Sequence, residues 1–152
     1  MIKEGTNAPA FKTTDANGET VNLKDFRGKR VVLYFYPKDD TPGCTKEACS
    51  FRDAFSKFKK QGITILGVSP DSEKSHQKFA TKYKLPFTLL ADTDHSIADA
   101  YGVYGEKKFM GRTYMGIHRT TFLIDEKGKI KRVFEKVKPE DHADEVLGAF
   151  SG

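Results

Sequence analysis

The 152-residue sequence contains only two cysteines. A small secreted scaffold stapled by disulfides would carry more, so a disulfide framework is excluded as the basis of the fold. No apolar run approaches the roughly 18–20 residues of a membrane span. The opening stretch MIKEGTNAPAF lacks the apolar core of a secretory signal. These absences predict a cytoplasmic chain without membrane contact. No repeat, low-complexity tract or linker interrupts it, and its length fits one domain over residues 1–152.

Charge of one sign is also scarce. Lysine and arginine number 26 against 21 acids, a net charge of +5. The bases are mostly interleaved with acids, as in KPEDHADE, and the densest runs, Lys57–Lys60 and Lys127–Arg132, read as solvated faces. This balance predicts no nucleic-acid partner. Four histidines, His76, His95, His118 and His142, are dispersed, and the C-x4-C pair is not a usual zinc spacing. Neither a metal nor an organic cofactor is predicted.

The chain does hold an ordered alternation of elements. Phe11–Thr14 and Thr20–Leu23 flank Asn17-Gly18, a hairpin signal. Val31–Tyr36 is a continuous apolar run, as expected of a central strand buried on both faces. Ala48, Phe51, Phe55 and Phe58 then recur at helical spacing. Ile63–Val68 predicts a second strand. Asp71 or Ser72 can cap a helix reaching about Tyr83, with Phe79, Ala80 and Tyr83 inward. Phe87–Leu90 predicts a short strand and Ser96–Tyr101 a short helix. Val103–Met115 is polar and assigned to no element. Thr120–Ile124 and Ile130–Phe134 predict a late hairpin, and Asp141–Phe150 a closing helix. The pattern implies an α/β fold: parallel strands with crossovers in the middle, antiparallel additions, and a mixed sheet flanked by helices. Sites in such sheets lie beyond the carboxyl ends of strands, which singles out the loop after Val31–Tyr36.

That loop leads into Thr41-Pro42-Gly43-Cys44, where a helix should begin. Thr41 suits the N-cap and Pro42 the first helical position. Cys44 then lies in the first turn, where free N–H groups and the helix dipole favour a thiolate. An inert small residue at a helix start would have the same neighbours. Ionisation alone makes no fast nucleophile. Lowering a thiol's pKa from about 8.5 to about 6 raises the thiolate fraction at pH 7 roughly thirtyfold, while intrinsic nucleophilicity falls roughly tenfold. The remaining acceleration has to come from hydrogen-bond donors and a cation that place the substrate. Thr41 is the nearest donor. Arg119, at the start of a predicted strand, is a permanent cation with forked donors, although a surface salt bridge would equally account for it.

Cys49 follows Cys44 by five residues. In an intact helix this spacing separates the Cα atoms by roughly 8–9 Å on different faces. A disulfide requires less than about 7 Å. Bridging therefore predicts unwinding between about Asp40 and Arg52, which Gly43 would ease. The alternative is that Cys49 is packing without redox chemistry.

The segment YPKDDTPGCTKEAC, with Pro37, Thr41 and Cys44 in the pattern P-x-x-x-T-x-x-C, resembles the active site of peroxiredoxins. The second cysteine five places on resembles the peroxiredoxin Q group, also called bacterioferritin comigratory proteins, as does KKFMGRTYMGIHRTTFLID. The likeness runs over nearly the whole chain. Tyr104 departs from it, since many relatives carry tryptophan there. The resemblance implies a thioredoxin-like fold and reduction of hydroperoxides by Cys44. It implies resolution by Cys49 to an intramolecular disulfide and reduction by thioredoxin or a similar dithiol. It further implies shielding by Pro37, orientation of peroxide and thiolate by Thr41 and Arg119, and a hydrogen bond from Arg119 to Glu47. The expected assembly is a monomer, with a weak dimer as the alternative. Two other functions share parts of this pattern. A disulfide-exchange protein would want a proline facing the cysteines, yet none lies between Phe87 and Val137. A basic binding module would need no cysteine at all.

Overall fold

The computed structural model describes residues 1–151. The strands are β1 Lys12–Asp15, β2 Thr20–Asn22, β3 Arg30–Phe35, β4 Ile63–Ser69, β5 Thr88–Ala91, β6 Tyr104–Phe109, β7 Arg112–Ile117, β8 Thr120–Ile124 and β9 Ile130–Phe134. The helices are α1 Pro42–Asp53, α2 Phe55–Lys60, α3 Glu73–Tyr83, α4 Ser96–Tyr101 and α5 His142–Ser151. Seven strands form one mixed sheet in the order β2-β1-β5-β4-β3-β8-β9. β3, β4 and β5 run parallel, and β1, β8 and β9 add antiparallel neighbours. This is the thioredoxin-like α/β fold implied by the sequence, with the Asn17-Gly18 hairpin at its edge.

β3 explains why its sequence is apolar throughout. It lies between β4 and β8, so both of its edges are paired, and a separate apolar core covers each of its faces. Val32 and Tyr34 enter a core with Ala48 and Phe51 of α1, Phe58 of α2, Phe79 of α3 and Val146 of α5. Val31, Leu33 and Phe35 enter the opposite core with Ile97 and Tyr101 of α4. The period of two is therefore intact, but each phase meets apolar partners.

Two local features differ from the sequence reading. The helical face from Ala48 to Phe58 is split at Ala54, whose ψ of 3° ends α1 before α2 begins. Phe51 and Phe58 still share one core, so the apolar period survives the break. Val103–Met115, left unassigned, contains most of a separate hairpin, β6–β7. Met110 (φ 51°) and Gly111 (φ 77°) make its turn. Two successive positive φ values are what a tight hairpin turn requires, but only the glycine carries a sequence signal for it.

Candidate active site

β3 delivers the chain to the site. One residue past its end, the Tyr36 amide still bonds to the Val68 carbonyl (3.0 Å), prolonging the β3–β4 pairing. Pro37–Asp40 then cross to the start of α1. Asp40 is left-handed (φ 57°), a conformation aspartate tolerates better than most residues. Its carboxylate accepts from Lys82 Nζ (2.7 Å) and the Tyr83 hydroxyl (2.8 Å).

α1 begins as expected, with Thr41 at the N-cap and Pro42 at the first helical position. The Thr41 carbonyl accepts the first helical bond from Thr45 (2.8 Å). Its hydroxyl does not cap an amide. It donates to the Lys38 carbonyl (2.9 Å), which leaves its lone pairs facing outward from that bond. Gly43 and Cys44 lie in the first turn, whose amides have no intrahelical acceptor.

Cys44 is 2% exposed. Its Sγ accepts a hydrogen bond from Arg119 Nη2 at 3.2 Å. The other arm of the same guanidinium, Nη1, donates to Glu47 Oε1 at 2.6 Å. Arg119 thus bridges two residues of α1 that lie one turn apart, from its position immediately before β8. Gly43 makes the approach possible: a Cβ there would sit 3.2 Å from Arg119 Nη2. Burial works against the Arg119 cation, but Glu47 and Cys44 more than offset it and raise its proton affinity above the ordinary range. Glu47 is the weaker member of the pair. Its carboxyl is fully buried and its second oxygen, Oε2, has no hydrogen-bond partner within the protein. Burial therefore pushes its pKa up to about 7 against the pull of Arg119.

The sequence-selected residues come together unevenly. Arg119 directly contacts both Cys44 and Glu47. Thr41 stands three residues ahead of Cys44 on the same helix start, and Pro37 precedes it in the loop. Cys49 lies further along α1, half-buried, and both cysteines are free thiols. Other groups escaped the sequence reading. Lys107 Nζ donates to the Ile117 carbonyl (2.9 Å), and burial together with Arg119 lowers its proton affinity while Cys44 opposes that. Its charge thus acts on the same site. The Tyr34 hydroxyl is buried with no partner within the protein. Burial drives its pKa well up, and Glu47 and Cys44 push the same way. His76 is not isolated: atoms of Asp39, Asp71 and His76 lie within 4.8 Å of one another. No spacing rule joins residues 39, 71 and 76, so only the fold reveals them.

The arrangement is a buried thiol, a permanent cation on its sulfur and an acid holding that cation. Residues 5–133 match the AhpC/TSA family. The chain belongs to this family. It is 54% identical to the putative peroxiredoxin Bcp of Coxiella burnetii over 147 residues, 97% of each chain. It is 52% identical to peroxiredoxin Bcp of Escherichia coli, covering 96% of this chain and 94% of that one. The structure of the Xanthomonas campestris bacterioferritin comigratory protein, studied for alkyl peroxide reduction, superposes with a TM-score of 0.91 at 38% identity, covering 98% of both chains. The group is therefore the peroxiredoxin Bcp/peroxiredoxin Q branch, and its members are thiol-dependent peroxidases that draw on a peroxide and a thioredoxin-type reductant. Among the described residues, no helix is long and apolar enough to cross a membrane.

Proposed function

We propose that Cys44 is the attacking thiolate and Cys49 the thiol that resolves it. The thiolate of Cys44 attacks one oxygen of a hydroperoxide. The O–O bond breaks, Cys44 becomes a sulfenic acid, and the departing oxygen leaves as water or an alcohol after taking a proton. α1 unwinds from its start, Cys49 attacks the sulfenic sulfur, water leaves and an intramolecular disulfide forms. A dithiol protein of the thioredoxin type then returns both cysteines to thiols by exchange. Hydrogen peroxide and organic hydroperoxides both fit this cycle, and the alkyl peroxide reduction studied in the Xanthomonas campestris relative supports the second class.

The observation that carries the reading is the Arg119 fork. One arm lies 3.2 Å from the Cys44 sulfur and the other is fixed on buried Glu47. Such a cation favours the thiolate and stabilises charge on the leaving oxygen in a water-poor site. Thr41 has its hydroxyl proton committed to Lys38, so it is oriented to accept from the peroxide. Pro37 shields the sulfur from the loop side, and Glu47 orients Arg119. The same reading takes the chain as one cytoplasmic domain, monomeric in solution, which sedimentation would check.

Mass spectrometry after one equivalent of peroxide tests chemistry and pairing together. The expected product has lost two hydrogens, with Cys44 and Cys49 in one linked peptide. Cys44→Ser should abolish peroxide consumption, and full turnover in that variant would refute the assignment. Cys49→Ser should stall dithiol-coupled cycling and let the sulfenic acid proceed to sulfinic acid. Normal cycling of that variant would remove Cys49 from the mechanism.

A further inference from the structure

The loop ahead of Cys44 is fastened to the sheet by a polar network that the reaction chemistry does not require. Asp39 is 8% exposed and His76 is fully buried. The Asp39 amide donates to Asp71 Oδ2 (2.8 Å). Its Oδ1 accepts from the Tyr36 hydroxyl (2.6 Å), and its Oδ2 accepts from Ser75 Oγ (2.8 Å). The same Oδ2 meets His76 Nδ1 at 2.7 Å. The other ring nitrogen, Nε2, faces the Leu90 carbonyl at 2.9 Å, a group that only accepts, so Nε2 carries a hydrogen. Asp71 is itself held by Ser69 Oγ (2.6 Å). Through one side chain and one amide, Asp39 is thus tied to the end of β3, the β4–α3 turn and α3, and by way of His76 to β5. Buried polar groups of this kind are stable only when fully partnered, and here the partners span the sheet.

Past Asp40 the fastening changes character: the first turns of α1 are held from outside by Arg119 on Cys44 and Glu47, a contact that involves the reacting sulfur itself. Asp40 still bonds to Lys82 and Tyr83 of α3. From Thr41 on, the hydroxyl turns back to Lys38, the helix start has no side-chain cap, and Gly43 follows. The far end is held again, by Arg52 Nη1 on the Tyr83 carbonyl (2.9 Å) and by the Ala143 amide on Ser50 Oγ (3.1 Å). We propose that Asp39 and His76 are positioning residues that keep the loop before Cys44 fixed throughout the cycle. The boundary between Asp40 and Thr41 is then a stationary hinge from which α1 unwinds and onto which it refolds. This rests on the unwinding step proposed above. The consequence is that the site is rebuilt after each turnover from an ordered edge, with Thr41 and the first-turn amides returning to a preset place.

Two measurements test it. Variants come first, read by stopped-flow that separates the bimolecular peroxide step from the first-order formation of the disulfide. His76→Asn should slow the peroxide step about tenfold, since misplacing reacting groups by a fraction of an ångström has that order of effect, while disulfide formation is not slowed. Tyr36→Phe removes one bond to Asp39 and keeps the ring, so it should shift the same step in the same direction by a smaller factor; it carries the test if His76→Asn does not fold. Wild-type rates for both steps with only a lower Tm would make the network mere scaffold and overturn the proposal. Equal slowing of both steps would also overturn it. Amide hydrogen exchange on the reduced and disulfide forms then addresses the hinge directly. The Asp39 amide should stay protected in both forms, while amides from Thr45 to Cys49 lose protection on oxidation. If Asp39 loses protection along with them, the hinge is wrong and the unwinding stands. If the helix amides keep their protection while the disulfide forms, the unwinding itself is wrong and the hinge falls with it.

Discussion

α1 and α3 pack into the same core, on the same face of the sheet, and have 12 and 11 residues. Their ends are built differently. Ser72 caps α3 by accepting from the Ser75 amide, Glu73 stands in its first turn and Lys82 in its last. Left-handed Lys84 closes it with bonds to the Ala80 and Thr81 carbonyls. α1 has no side-chain cap, no acid in its first turn, and a glycine at its second position. α3 adds caps at both of its own ends to the core contacts of Phe79 and His76. α1 borrows its stability from outside: Phe51 and Ala48 in the core, Arg119 across Cys44 and Glu47, and two tethers near its far end. A helix of the second kind is weakened when an external contact is altered. Oxidation of Cys44 alters such a contact, because the sulfur that accepts from Arg119 becomes a different group.

The sharpest way to break the comparison is to remove the borrowed contact. Arg119→Met should slow the peroxide step by about 10²–10³, equivalent to roughly 3–4 kcal/mol of transition-state stabilisation; removing the Ser72 cap of α3 should leave that rate alone. Single-turnover oxidation of Cys44 measures it. Next in size is the pH dependence of stability. Burial lifts the Glu47 pKa from 4.5 to about 7. The unfolded chain therefore loses this proton first. Its contribution to stability is fully present below about 4.5, falls as pH rises, and is gone above about 7, with an amplitude on the order of 3 kcal/mol. Denaturation across this range should show a wild-type slope that Glu47→Gln lacks; parallel curves would remove Glu47 as the titrating group.

Capping gives a smaller effect. Ser72→Ala should lower stability by about 1 kcal/mol, seen as a lower denaturation midpoint with unchanged peroxide kinetics. Smallest is Gly43→Ala. Helix propensity favours the change by up to about 1 kcal/mol, but the new Cβ crowds Arg119 Nη2. Disulfide formation and the peroxide step should both slow by a factor of about 2–5, a few tenths to one kcal/mol each. A faster disulfide step would remove easy unwinding as the reason for the glycine, and a faster peroxide step would remove the close approach of Arg119.

Much of this was legible in the residues. The apolar run of β3, the Asn17-Gly18 turn and the Ser72 cap carry local signals, and local physics sets them. The hairpin β6–β7 was not legible because its strands are largely exposed and so show no apolar alternation. Cys44 drew notice from its place after Thr41-Pro42-Gly43. Its partnership with Arg119 joins residues 75 positions apart, and only the resemblance to peroxiredoxins brought them together in advance. Asp39 and His76 had no such help. Dispersed in sequence, they meet because β3, α3 and β5 converge, which no periodicity expresses.

The depth of Cys44 also decides the order of encounters. A sulfur so enclosed is closed to the surface of another protein. On the proposed cycle, a protein dithiol finds nothing to attack until α1 has opened and the disulfide lies outside. On that cycle, oxidant and reductant are separated in time by the opening of α1. On the same proposal Cys49, carried on the same few turns of chain, is the first thiol the sulfenic acid meets. A cycle of this kind works as a turnstile: each customer passes only after the previous one has moved the arm.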